Sequence, residues 1–223
     1  MSQVFARKRI AVLVPGGVGN ENSGMHLPAL RTLVEMLAEV HDLHVYSLAP
    51  PNWLEPNGLC GNSWVSFFPV HHKNATPKKF WLLANACRRD HQMQPFDIIH
   101  GFWAIPCGAT ALALGKYLRI PSIVSFLGGE TACLPHIPYG NMVRRSTRML
   151  TLWVSRYADE LTTLTHHQTG ELRRAGCVRQ RVNVIPFGAD TNLFPFGKKD
   201  ITKRPLRIDG QELLQQEDQV TLA

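Results

Sequence analysis

The stretch Ile10-Ala-Val-Leu-Val14, followed at once by Pro15-Gly16-Gly17-Val18-Gly19, decides the fold class. A continuous aliphatic run bounded by turn residues reads as a strand buried on both faces. Behind the glycine loop, Leu30, Leu33, Val34 and Leu37 recur at i, i+3, i+4 and i+7, the apolar stripe of an amphipathic helix. The same pairing repeats down the chain. Residues 43–48, 64–70, 96–100, 120–127, 160–165 and 182–185 read as strands, and residues 77–93, 107–118, 141–158 and 167–175 as helices. Pro77 stands in the first turn of one helix, and Gly176 stops the last. Strands alternating with helices predict a parallel sheet covered on both faces. Right-handed crossovers make it a doubly wound α/β domain.

Composition narrows the class further. The 223 residues are 44% hydrophobic and 18% charged, enough for one sizeable core and too apolar for a disordered chain. No apolar run approaches the roughly 18–20 residues of a membrane helix. Residues 1–9 lead into a strand without an export signal's apolar stretch, so the expectation is a cytoplasmic protein. The five cysteines are never closer than 20 residues, a spacing that fits structural thiols better than a zinc or redox motif. A formal charge of +7 suits an anionic partner: nucleic acid, a phosphorylated metabolite or a membrane surface. No nucleic-acid module is recognisable, so no nucleic acid is expected. Beyond residue 196 the sequence turns polar, which divides the chain into a domain over 1–196 and a linker, or the start of a further element, over 197–223.

Ligands in such sheets bind past the carboxyl ends of the strands, and three of those ends carry unusual residues. Gly16, Gly17 and Gly19 would let backbone amides approach a phosphate or a sugar. They are not a dinucleotide fingerprint: Asn22 stands where the third glycine belongs, and the second strand ends Tyr46-Ser47-Leu48 without the ribose-binding acid. No phosphate-binding P-loop exists either, because Gly115-Lys116 is followed by Tyr117. His100 and Trp103 mark the second end, a candidate proton acceptor and a stacking face for a sugar ring. Gly128-Gly129-Glu130 marks the third, a carboxylate beside exposed backbone. The doublets His71-His72 and His166-His167 splay their side chains and form no metal pair. The helix over 141–158 sets Met142, Met149, Leu150, Trp153, Val154 and Tyr157 on one arc and four arginines on the other. That pattern serves either a sheet-packing helix with a solvated back or a contact with anionic lipid at the inner face of a membrane.

Taken together, Asp97-Ile-Ile-His-Gly-Phe-Trp103, Cys107-Gly108, Ile120-Pro-Ser-Ile-Val-Ser-Phe-Leu-Gly-Gly-Glu130 and Pro138-Tyr139-Gly140 resemble the acceptor-side half of retaining glycosyltransferases of family 4. Val184-Ile-Pro-Phe-Gly-Ala-Asp-Thr-Asn-Leu-Phe194 is similar to the segment by which that half enters the hinge. The resemblance covers about residues 9–196 and implies half of a GT-B architecture, two Rossmann-like domains facing across a cleft. It implies a hexosyltransferase of polysaccharide-building type, with a nucleotide-sugar donor, a glycan or lipid-linked acceptor, and no cofactor or obligatory metal. Catalytic roles would fall to His100 and Glu130. Substrate contacts would fall to Gly16, Gly17, Gly19, Trp103, Gly128 and Gly129, and the hinge to Pro186, Gly188 and Asp190. The chain departs from the family pattern at Phe102 and Leu127, where histidines are common, and in its last 27 residues, where no donor-binding motif follows. A donor-binding domain, in cis or in trans, would then be needed for turnover. The competing readings are a non-catalytic glycan or lipid-headgroup module and another Rossmann-like enzyme such as an epimerase or a dehydrogenase.

Overall fold

In chain order the elements are β1 (Arg9–Val14), α1 (Pro28–Val40), β2 (Asp42–Ser47), β3 (Asn57–Cys60), β4 (Ser63–Phe67), α2 (Thr76–Met93), β5 (Ile98–Phe102), α3 (Ala109–Leu118), β6 (Ser122–Phe126), α4 (Arg145–Tyr157), β7 (Glu160–Thr163), α5 (His166–Arg174), β8 (Asn183–Val184), β9 (Arg207–Ile208) and β10 (Gln211–Glu212). This computed structural model describes residues 6–16, 18, 27–48, 57–60, 63–67, 76–177, 181–188, 207–208 and 211–212. The chain divides into two units, Met1–Gly188 and Ala189–Ala223. In the second, the antiparallel pair of β9 and β10 is what the described residues form. None of the described helices is long and apolar enough to cross a membrane.

The first unit is one sheet in the order β3-β4-β2-β1-β5-β6-β7-β8. Every neighbouring pair is parallel except β3 with β4. Asn57-Gly-Leu-Cys60 lacks both alternation and a β-branched run, which is why the pattern does not announce β3; ladder bonds to β4 along the sheet edge hold it. Side-chain alternation divides the core. Ile10, Val12 and Val14 of β1, with Leu43, Val45 and Phe102, meet Leu30, Val34 and Ala38 of α1. Ala11, Leu13, Tyr46 and Ile99 face the other way, against Leu83 and Cys87 of α2 and Ala111 and Leu114 of α3. Further along that second face, Val124, Phe126 and Leu161 pack on Leu112, Val154 and Leu172. The doubly wound Rossmann-like arrangement expected from the sequence is the one observed.

Two helices begin later than their apolar pattern suggests. The stretch over 107–118 opens with a wide turn, Ala104–Gly108, and the regular helix starts at Ala109. The stretch over 141–158 becomes helical at Arg145, because backbone bonds from Asn141 to Gly129 and from Met142 to Ala132 tie its first residues to the preceding loop. The apolar arc of α4 is also divided. Val154 is buried and Leu150 packs against the core, while Met149, Trp153 and Tyr157 stay exposed.

β5 presses directly on the turn that follows it. A Cβ on Gly101 would lie 2.7 Å from the Cys107 carbonyl oxygen and 2.8 Å from the Gly108 Cα, so the strand needs glycine there for close approach. Gly101→Ala should lower the unfolding free energy by about 1–3 kcal/mol, as backbone must move to admit one methyl group. The urea midpoint measures this; an unchanged midpoint would show that β5 and the turn are not locked together.

Candidate functional site

Parallel pairing puts the carboxyl ends of β1, β5, β6, β7 and β8 on one edge of the sheet. The strand order reverses between β1 and β5, and a crevice opens past such a reversal. Four segments surround it: Pro15-Gly16 after β1, Trp103 after β5, Leu127 to Glu130 after β6, and Ile185 to Gly188 after β8. Gly16 is buried behind the end of β1. Gly17, Gly19 and Asp190 lie outside the described residues, as does most of the segment over 197–223.

Trp103 is where the chain turns most sharply. Its backbone sits at φ 62°, ψ 147°, a region that glycine fills readily and other residues enter at a cost of about 1–3 kcal/mol. Its N–H donates to the Ser125 carbonyl at 2.9 Å, and its carbonyl accepts from the Gly108 N–H at 2.8 Å. Inside the turn the Ile105–Pro106 peptide is cis. The half-buried indole packs with Leu127 and Phe187 against the α1 side of the core. Phe187 thereby draws the segment after β8 to the crevice, leaving Pro186 and Gly188 exposed beside it.

Glu130 is 3% exposed and turned inward. Its carboxylate accepts from the Gly128 N–H at 2.8 Å and from the Leu127 N–H at 3.2 Å, and the backbone of Ala104 and of Glu130 itself also bonds to it. Burial outweighs these contacts and raises the carboxyl above the usual carboxylate range. The side chain therefore ties the loop after β6 to the turn after β5, and does not reach out toward hydroxyl groups in solvent. Gly128 is exposed, and a Cβ there would meet nothing within 4 Å. Gly129 instead lies under Tyr139, whose Oη would be 2.8 Å from an added Cβ.

His100 lies within β5, two residues short of its end, and not at the tip. Its ring stacks on Phe102 at 4.2 Å between centroids, and its Nε2 is 2.8 Å from Ser125 Oγ. Ser125 Oγ in turn accepts from Thr162 Oγ1 at 2.7 Å, so a polar ladder runs across β5, β6 and β7. Burial pushes the imidazole down to about 4, and the ring is neutral at pH 7.

Two contributors carry no motif of their own. Gln168 of α5 accepts from the Leu164 N–H at 2.8 Å and donates to the Gly128 carbonyl at 3.3 Å, bracing the loop from the side opposite Glu130. The signal for it is faint: Thr165 caps α5 by accepting from the Gln168 N–H at 3.1 Å, a Thr-x-x-Gln spacing at a helix start. Phe187 is the second, an apolar residue between Pro186 and Gly188. A separate cavity of about 580 Å³ at the β8 margin gathers His166, Arg173 and Arg181, and takes in neither His100 nor Trp103. The described residues hold no group of three or more His, Cys, Asp or Glu placed for a metal ion. The strand ends there carry the half-buried Trp103 indole and the exposed Gly128 backbone, groups chemically suited to hydroxyl-bearing rings.

Two outcomes follow from the buried groups. Glu130→Gln turns an amide N–H₂ toward backbone donors and should cost about 1–3 kcal/mol of stability, measured by denaturation with urea. On acidification, the unfolded chain takes up a proton at His100 near pH 6.5, whereas the folded ring does so only near 4. Stability is thus lost as pH falls through that window, by on the order of 3 kcal/mol from this group. His44, also lowered by burial, adds in the same sense, and Glu130, raised, opposes it as pH falls from its folded value toward 4.5. His100→Gln should flatten the loss between pH 6.5 and 4, and an unchanged slope would place the acid sensitivity elsewhere.

Comparison with known proteins agrees with this geometry. Sucrose-phosphate synthase from Thermosynechococcus elongatus superposes with a TM-score of 0.63 at 14% identity, over 84% of this chain and 50% of that one. A second chain of the same synthase gives 0.60 at 11% identity, over 84% of this chain and 93% of that one. A glycosyltransferase from Rickettsia africae gives 0.54 at 11% identity, over 86% and 46%. The chain thus spans about half the length of the first of these enzymes and of the Rickettsia transferase. No curated protein matches it in sequence. At such identities the superpositions speak for the fold, one half of a GT-B architecture, and a sequence match over residues 29–193 speaks for descent: the chain belongs to glycosyltransferase family 4.

Proposed function

We propose that this domain is the acceptor-binding half of a retaining glycosyltransferase, which moves a hexosyl group from a nucleotide-sugar to a glycan, a lipid-linked sugar or a small hydroxylated acceptor. The observation that carries the reading is the family match over residues 29–193 of a chain that spans half the length of a structural relative. In this reading Trp103 stacks on an acceptor ring and the Gly128 backbone lies against the incoming sugar. His100 and Glu130 are positioning residues, holding Phe102, the Trp103 turn and the glycine loop in register. Pro186, Gly188 and Asp190 shape the passage toward a donor-binding half supplied in cis or in trans. Stabilisation of the departing nucleoside diphosphate belongs to that half, and electrostatic terms of this kind are usually the largest in catalysis. The domain by itself should therefore bind an acceptor without turning over a donor.

The test has two arms. Incubated with uridine, guanosine and adenosine diphosphate sugars and mixed glycan acceptors, the chain alone should release no nucleoside diphosphate, and steady release would sink the reading. On a glycan array the same chain should retain ligands that Trp103→Ala loses. Gly128→Ala fits the fold without a clash, so it should leave the melting temperature unchanged and weaken ligand retention by about tenfold if backbone approach matters there. Intact mass from the native source separates the two routes to a donor half. A value near 25.0 kDa implies a partner in trans, and about twice that implies one chain.

A further inference from the structure

The exposed side of α4 is the least expected surface of the molecule. Met149, Trp153 and Tyr157 follow one another at i, i+4 and i+8, one continuous stripe about 12 Å long. They are 70%, 40% and 49% exposed, although Thr151, Val154 and Ser155 on the same helix are buried. Trp153 and Tyr157 stand 6.4 Å apart between ring centroids, and the Arg156 guanidinium lies 5.6 Å from the Tyr157 ring. Residues 141–158 carry four arginines and no acidic residue. Arg148 donates to the Ala175 carbonyl and braces the helix, while Arg144, Arg145 and Arg156 reach solvent.

Neighbouring surface repeats the combination. α3 touches both α2 and α4 on the same side of the sheet. Its outer residues include Tyr117, 68% exposed, next to Lys116, and α2 presents Trp81, 63% exposed, on a helix that also carries Arg88 and Arg89. Lys116 is paired with Asp159 and Arg89 with Asp90, so the cations of this flank are chiefly those of α4. Aromatic rings beside exposed arginines favour the headgroup boundary of a bilayer, where the ring is half solvated and the cation meets anionic lipid. Asp159 and Glu160 follow the helix directly, with Asp159 held by Lys116 and the Ser122 N–H; over 141–158 itself the charge is wholly positive, the complement of an anionic surface.

We propose that this flank docks the protein onto an anionic membrane surface, with Met149, Trp153 and Tyr157 entering the interface and Arg144, Arg145 and Arg156 meeting lipid phosphates. α4 joins two parallel neighbours, β6 and β7, so it must run back against the strand direction. Its arginine-bearing first turn lies at the crevice edge of the sheet, and the stripe leads away from it. Docking leaves the crevice mouth beside the lipid headgroups. Docking through α4 is independent of the transfer reaction.

The test uses the full chain and sedimentation with vesicles of phosphatidylcholine alone or mixed with phosphatidylglycerol. Binding is expected on the mixed vesicles and should weaken as ionic strength rises from about 0.1 M to about 0.5 M. Met149→Ser with Trp153→Ser should lower partitioning by about tenfold, and Arg145→Glu with Arg156→Glu should abolish the preference for the anionic lipid by a similar factor. All four positions are exposed, and circular dichroism checks that the variants fold. A measurement on the unmutated stripe needs no disruptive change: brominated lipid should quench the native chain more than its Trp153→Phe form. No partitioning, equal quenching, or partitioning indifferent to both variant pairs overturns the proposal. So does a dimer in sedimentation velocity that dissolves with Trp153→Ser, because a second copy would then be the occupant.

Discussion

One buried carboxylate holds the crevice together. Glu130 gathers backbone N–H groups from its own loop and from the turn after β5, two segments that the sheet brings to one edge but does not otherwise join. Without it, those N–H groups would lose their acceptor, and the Gly128 loop its carboxylate tie to the turn after β5. Gln168 and Tyr139 brace the same loop from outside. Thus a carboxylate in a sequence motif need not meet substrate to matter; here its value is geometric.

The fold was legible because buried parallel strands leave a signal that needs no neighbour to interpret. Ile10 to Val14 can be nothing other than the inside of a sheet, and Leu30 and Val34 show the helix that covers it. The site was legible only as a set of positions. His100, Trp103 and Gly128-Gly129-Glu130 stand out by residue type, yet which way each side chain turns depends on contacts from distant strands. His100 looks like a strand-tip base until Ser125, 25 residues on and itself bonded by Thr162, claims its ring nitrogen. The late start of α3 and α4, and the edge strand β3, were hidden for the same reason: each is fixed by backbone partners and not by its own periodicity.

The apolar stripe of α4 shows the reverse error. Periodicity groups Met149, Trp153 and Tyr157 with Leu150 and Val154, because a helical wheel records angle and not what lies opposite. Only the packing of α4 against the sheet divides the arc into a buried half and an exposed half. A membership in glycosyltransferase family 4 does not by itself distinguish these halves.

The backbone of Trp103 sets two physical demands against each other. At φ 62°, ψ 147° the position suits glycine, and a single substitution to glycine would relax the turn at no steric cost. That exchange would also remove the indole that packs with Leu127 and Phe187 against the core. Backbone strain and burial of the ring thus meet in one residue: the turn stays sharp because the side chain that strains it also anchors it.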